Sequence, residues 1–270
     1  AAFAIHDARS PFPPSYPYLF HPSISKRPSV DSSAPFLGAV APSVVVDDNE
    51  DAAVKFGRKS YWDAMYDGTG DRPSDSYSWY CSWKELSPFW SELVPSREAR
   101  VLVPGVGNDV CPVKLYDAGW KRITAFDYSE SGVRRSKILF GEKRLDGEVG
   151  EEDNSTGNGA RIVHADARDL PFSDGSFDAI LDKGTLDAID IAGKESFLAA
   201  AKEFSRVTAP GGVLVCISSV VLPEDLYDAF APPLWDMIHD GGLAFAPDGE
   251  ATIDLGSELY SWRRTKEAIS

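Results

Sequence analysis

Phe177-Asp178-Ala179-Ile180-Leu181-Asp182-Lys183-Gly184-Thr185-Leu186-Asp187-Ala188 reads as a short apolar strand that runs straight into Asp, Lys, Gly, Thr and Asp. A strand buried on both faces of an α/β sheet has this near-continuous apolar character, and ligands sit just beyond the carboxyl ends of such strands. A surface loop seldom needs a lysine flanked by two carboxylates so close to a core strand.

Outward from this stretch the chain alternates strands and helices. Residues 99–103 predict a strand ending at Pro104-Gly105, and 109–118 a helix closed by Gly119. Residues 122–126 predict a second strand, and Ser129 is placed to cap the helix after it. Further strands are expected at 161–164, 177–181 and 213–218. Between the last two, residues 194–207 carry Phe197, Leu198, Ala201, Phe204 and Val207 at helical spacing, and Pro210-Gly211-Gly212 is read as the stop. This βαβ rhythm predicts a parallel, doubly wound α/β sheet with right-handed crossovers.

Residues 1–45 are rich in Pro and Ser and show no helical or strand period. They read as a tail, or as a remnant of an organelle-targeting segment, which would place the protein in a plastid or other organelle. Residues 46–270 are expected to form the folded domain, with an acidic, glycine-rich insertion at 142–159. The chain carries 42 acidic and 27 basic residues, a net charge of -15. That balance argues against nucleic-acid binding and favours a basic protein partner or plain solubility. Cys81, Cys111 and Cys216 form no CxxC pair, and the four histidines are scattered. No metal site is expected, and a reducing, cytoplasmic compartment fits. No apolar run is long enough to span a membrane.

Val101-Leu102-Val103-Pro104-Gly105-Val106-Gly107-Asn108 is a strand followed by a glycine-rich turn. Gly105 and Gly107 permit tight backbone geometry and close approach of a ligand. The next strand ends at Asp127, twenty residues after Gly107. A carboxylate there can accept both hydroxyls of a ribose. The third glycine of GxGxxG is absent, since Val110 holds its position. That glycine serves close helix packing beside a pyrophosphate, so its absence leans away from a nicotinamide cofactor. Asp166, in Ala165-Asp166-Ala167, follows the third strand, where a carboxylate can accept from an adenine amino group.

Gly105-Val106-Gly107, Asp127, Asp166 and the run from Asp169 to Asp178 resemble the motifs of class I S-adenosylmethionine-dependent methyltransferases. Tyr61-Trp62-Asp63-Ala64-Met65-Tyr66, Ser78-Trp79-Tyr80 and the opening stretch from Leu181 to Ala188 narrow the resemblance. So does Ser205-Arg206-Val207 with Pro210-Gly211-Gly212. Together they are similar to the subgroup holding the lysine methyltransferases of translation elongation factor 1-alpha and their methyltransferase-like relatives. The resemblance covers roughly residues 56–220. It implies a Rossmann-like seven-stranded sheet, mostly parallel with an antiparallel C-terminal strand, and an N-terminal aromatic lid at 56–95.

It also implies that Trp62, Tyr66 and Trp79 line S-adenosylmethionine, and that Gly105 and Gly107 form the glycine loop. Asp127 and Tyr128 are implied as ribose and adenine contacts, Asp166 with Ala167 as the adenine edge, and Lys183 as the residue beside the methionine portion. Two positions depart from the subgroup: Met65 stands where Arg is usual, and Val106 where Cys is usual. The first removes a partner for the cofactor carboxylate.

The aromatics carry a physical reading as well, since π faces stabilise a nearby sulfonium by roughly 0.5 to 2 kcal/mol each. A lysine acceptor must lose its proton, which costs roughly 4.6 kcal/mol at neutral pH from an ordinary pKa of about 10.4. Asp182 and Asp187 are the acids best placed by sequence, one of them guiding the incoming ammonium. The activity that the resemblance implies is methyl transfer to a lysine of an elongation-factor-like protein, and the acidic charge balance suits a basic surface on that partner. A small-molecule methyltransferase, or a silent methyltransferase-like subunit of a larger assembly, is the alternative.

Overall fold

Among the described residues seven stretches extend into strands: Val101–Val103 (β1), Ile123–Asp127 (β2), Arg161–His164 (β3), Phe177–Lys183 (β4), Thr208–Ser218 (β5), Trp235–Ala244 (β6) and Glu258–Arg264 (β7). The computed structural model describes residues 54–72, 74–145, 159–244 and 257–266. The Pro/Ser-rich tail and residues 146–158 of the acidic insertion lie outside them. The strands form one sheet in the order β3-β2-β1-β4-β5-β7-β6. β7 pairs antiparallel with both β5 and β6, while the pairings of β1 to β5 among themselves are parallel. This is the Rossmann-like sheet with an antiparallel C-terminal strand. Reversal of strand order beside β1 opens a crevice at the carboxyl ends of β1, β2 and β4.

The helices are Lys59–Asp67 (α1), Trp83–Leu93 (α2), Cys111–Asp117 (α3), Glu130–Phe140 (α4), Thr185–Ala192 (α5), Lys194–Val207 (α6) and Pro223–Ala229 (α7), with a single 3-10 turn at Val54–Gly57. They cover two cores, one on each face. Val101, Val103, Ala179 and Leu181 face the core filled by Trp90, Trp120 and Phe140. Leu102, Ile180, Leu214 and Cys216 face the core filled by Phe197, Phe204 and Trp235. The strand period of two thus sends Asp182 and Lys183 to opposite sides of the sheet. That alternation decides their roles.

Local chemistry sets the element ends. Ser82 and Glu85 form a capping box at the start of α2. Pro88 removes one donor inside that helix, and Ser87 Oγ donates to the freed Lys84 carbonyl at 3.3 Å. Ser129 caps α4, accepting from Gly132 N at 3.2 Å. The Pro210-Gly211-Gly212 stop is corrected by the structure: α6 ends at Val207, and β5 runs through these residues from Thr208. Gly211 takes a φ of +82°, which lets the strand continue through the irregular register there. Among the described residues no helix is long and apolar enough to cross a membrane.

Candidate functional site

A cavity of about 650 Å³ lies over the carboxyl ends of the strands, between the glycine turn after β1, the β2 end, α5 and the segment preceding the sheet. Trp62, Tyr66, Trp79, Gly105, Asp127, Tyr128, Asp166, Ala167, Lys183 and Asp187 all line it. Gly107 lies beside it, beneath the Tyr66 ring. Asp182 does not reach it.

The wall at β2 is built around Asp127, which is 1% exposed. Its Oδ2 accepts from Gly107 N at 2.9 Å and its Oδ1 from Ser129 N at 2.8 Å. Burial raises its pKa to about 6 against the pull of those two N–H groups. A carboxylate offers about four acceptor positions, so two remain for a ligand. Neighbouring hydroxyls of a ribose suit two free positions on a buried carboxylate.

Tyr66 packs against this wall. A Cβ on Gly107 would stand 2.2 Å from the Tyr66 hydroxyl, and one on Gly132 would stand 2.8 Å from Asp127 Cγ and 2.9 Å from Tyr66 Cε2. Gly107, at φ +44°, therefore makes room for a protein side chain. Gly132 is not singled out by the sequence because one partner in space, Tyr66, is remote in the chain, and the other, Asp127, lies five residues away on the other side of the Ser129 cap.

The segment before the sheet closes the cavity. Trp62 stacks on Tyr66 with ring centroids 6.1 Å apart, and Phe56 and Tyr77 meet the Trp79 ring edge-on. Arg135 Nε donates to Tyr66 O at 2.7 Å, and Ser129 Oγ donates to Asp63 Oδ1 at 2.6 Å, binding α1 to α4. At the other end Gly57 packs on the α5 backbone, where a Cβ would meet Ala192 N at 2.8 Å. Phe56 and Tyr77 enter the wall unforeseen; their aromatic character was the available signal.

Lys183 is the clasp of this lid. Its Nζ donates to Ser78 Oγ at 2.8 Å, Trp79 O at 2.7 Å and Cys81 O at 2.9 Å, and pairs with Asp109 Oδ2 at 2.8 Å. Burial disfavours the ammonium, yet the Asp109 carboxylate holds its pKa above the usual lysine value. With three protons engaged by protein oxygens, this ammonium fastens the lid rather than reaching for a ligand.

Asp187 is saturated. Its Oδ2 accepts from Tyr80 Oη at 2.6 Å and Ser219 N at 3.0 Å; its Oδ1 accepts from Ser218 Oγ at 2.5 Å and Val221 N at 3.2 Å. All four acceptor positions are taken. Asp182 faces the other core, fully buried, where it accepts from Cys216 Sγ at 3.3 Å and Leu186 N at 3.4 Å. Burial and the Asp187 charge raise its pKa to about 7. Neither carboxylate is free to receive an incoming ammonium.

The remaining cations on the wall are also paired, Lys59 with Asp63 at 2.8 Å and Arg168 with Asp166 at 2.6 Å. The Arg168 fork keeps the Asp166 carboxyl below the usual range. Met65 is fully buried and contributes nothing to the cavity wall. The carboxylate end of a bound S-adenosylmethionine thus meets no unpaired cation among the described wall residues. Among those residues, too, no group of three His, Cys, Asp or Glu side chains is disposed to hold a metal ion.

Residues 102–216 match the methyltransferase domain family. The chain is 31% identical over 169 residues to the eEF1A lysine and N-terminal methyltransferase of Danio rerio, and 31% over 168 residues to that of Homo sapiens. These matches take in 62% and 61% of this chain but 22% of each relative, so the chain spans under a quarter of their length. It is 29% identical to EEF1A lysine methyltransferase 4 of Mus musculus, over 59% of this chain and 60% of that protein. A structure solved for the conversion of a disulfide bond into a thioacetal group in echinomycin biosynthesis superposes with a TM-score of 0.56 at 20% identity, covering 78% of this chain and 93% of that one. A SAM-dependent methyltransferase from Methanosarcina mazei gives 0.53 at 13% identity, over 67% and 98%. At those identities the structures speak for the fold.

Proposed function

The chain belongs to the class I S-adenosylmethionine-dependent methyltransferases, and from that premise we propose that it methylates a lysine side chain of a protein. The observation that carries this reading is Asp127, a buried carboxylate with two open acceptor positions beside an aromatic-walled cavity. The names of the relatives, lysine methyltransferases of eEF1A, support an elongation-factor-like substrate. A net charge of -15 supports a substrate with a basic surface.

In this reading Asp127 binds the ribose hydroxyls, and Tyr128 with Ala167 borders the adenine. Trp62, Tyr66 and Trp79 present π faces along the remainder of the ligand. When bound, S-adenosylmethionine supplies an electrophilic methyl on a positively charged sulfur, which leaves as a neutral thioether. The chain's own work is to exclude water, hold that ligand and orient the acceptor amine. The lid does the first, being fastened to the sheet by Lys183 and Asp109.

Two measurements test the proposal. Titration calorimetry with S-adenosylhomocysteine is expected to show one site, and protein extract incubated with labelled S-adenosylmethionine is expected to yield labelled methyl-lysine. Absence of binding overturns the enzymatic reading in favour of a silent subunit. Label confined to small metabolites overturns the lysine assignment alone.

A further inference from the structure

We infer that the Tyr80 hydroxyl oxygen is the acceptor that orients the substrate amine, with Asp187 as the positioning residue that aims it. The inference rests on the methyltransferase reading above and names a residue within that site. Tyr80 lines the cavity yet is only 8% exposed, so its hydroxyl works in a desolvated corner. Its proton is committed, donated to Asp187 Oδ2 at 2.6 Å. Asp187 cannot rotate that bond away, because Ser218, Ser219 and Val221 fill its other three acceptor positions. A hydroxyl whose proton is fixed keeps its lone pairs for an N–H arriving through the cavity.

The backbone shows that this placement is enforced. Tyr80 has φ +66°, a left-handed conformation that a bulky side chain rarely adopts. Lys183 grips the carbonyls on either side of it, at Trp79 and Cys81. Gly184 supplies the space for the ring, since a Cβ there would meet Tyr80 Cε2 at 2.8 Å. Three separate devices hold one ring in a strained position at the cavity wall.

Methyl transfer moves a positive charge from sulfur to nitrogen, so the amine arrives neutral, having left its proton in solvent. The nitrogen lone pair forms the new N–C bond while the C–S bond breaks onto sulfur. An N–H donated to Tyr80 turns that lone pair toward the methyl and strengthens as nitrogen becomes positive. Neutral unmodified lysine has two N–H groups, monomethyl-lysine one, and dimethyl-lysine none. Tyr80 therefore assists the first two additions and not the third.

The test uses the full chain, protein extract as acceptor and labelled S-adenosylmethionine, with mono-, di- and trimethyl-lysine resolved after hydrolysis. Tyr80→Phe is expected to slow the first two additions about tenfold, the loss of one hydrogen bond at the transition state, and to leave the third unchanged. S-adenosylhomocysteine affinity should stay within about twofold, in keeping with a contact to the amine alone. Equal slowing of all three additions, or no slowing, overturns the role of Tyr80 while leaving the enzyme a methyltransferase. No label from the unaltered chain overturns both readings together. Should Tyr80→Phe fail to fold, 3-fluorotyrosine at position 80 keeps ring and hydroxyl but weakens the acceptor. It is expected to slow the same two additions by a few-fold, and equal rates would overturn the role.

Discussion

Asp127, Asp182 and Asp187 are all buried, and the number of donors reaching each one separates their roles. Asp127 has two and faces the cavity; Asp187 has four; Asp182 has a weak thiol and a long backbone contact on the far face. In the proposed role Asp127 would accept ribose hydroxyls best when ionised, and burial raises its pKa to about 6. S-adenosylhomocysteine affinity should therefore hold above about pH 7 and fall up to tenfold per unit below about 6. Calorimetry across that range checks this, and Asp127→Asn should bind weakly at every pH. Asp182 makes a stability statement instead. Its carboxyl titrates at about 7 in the fold against 3.8 ordinarily, so folding takes up a proton between those values. The stability so conferred is complete below about pH 4 and lost as pH rises through 7. Relative to the unaltered chain, Asp182→Asn should gain roughly 4 kcal/mol between about pH 4 and pH 8, read from denaturant midpoints.

Among the elements, the segment before the sheet depends most on distant partners. Lys183 closes it from 102 to 105 residues away, and the pair with Asp109 is nearly dry. Lys183→Met leaves Asp109 buried without its cation and should cost about 3 kcal/mol or more. Amide exchange across residues 77–81 should accelerate more than exchange in β4, and affinity for S-adenosylhomocysteine should drop with it. This distance also explains what was legible in the sequence. The glycine turn, Asp127 and the Ser129 cap are local signals, and the β-α alternation placed β1 to β5 within a few residues apart from the early start of β5. The clasp and the four donors to Asp187 come from contacts that no spacing announces. β6 was unread because it is an edge strand: Met237 and Ile238 are exposed beside Asp236 and His239, so its apolar residues show no clean period.

At the scale of the whole molecule, the charge of -15 would steer the basic protein substrate proposed above. Electrostatic capture weakens as the Debye length shrinks from about 10 Å at 0.1 M salt. KM for a protein substrate should therefore rise with salt while kcat stays level, a split that steady-state kinetics resolves. The lid has a last consequence, in time rather than in space. Residues 54–81 leave the ribosome before β1, yet Lys183, Asp187 and the Ser218–Val221 loop that fasten them are made more than a hundred residues later. At roughly 5 to 20 residues per second the earliest part of the domain waits several seconds for its anchor. The lid segment is thus synthesised before the strand and loop that seat it, and it is fastened only after they have been made.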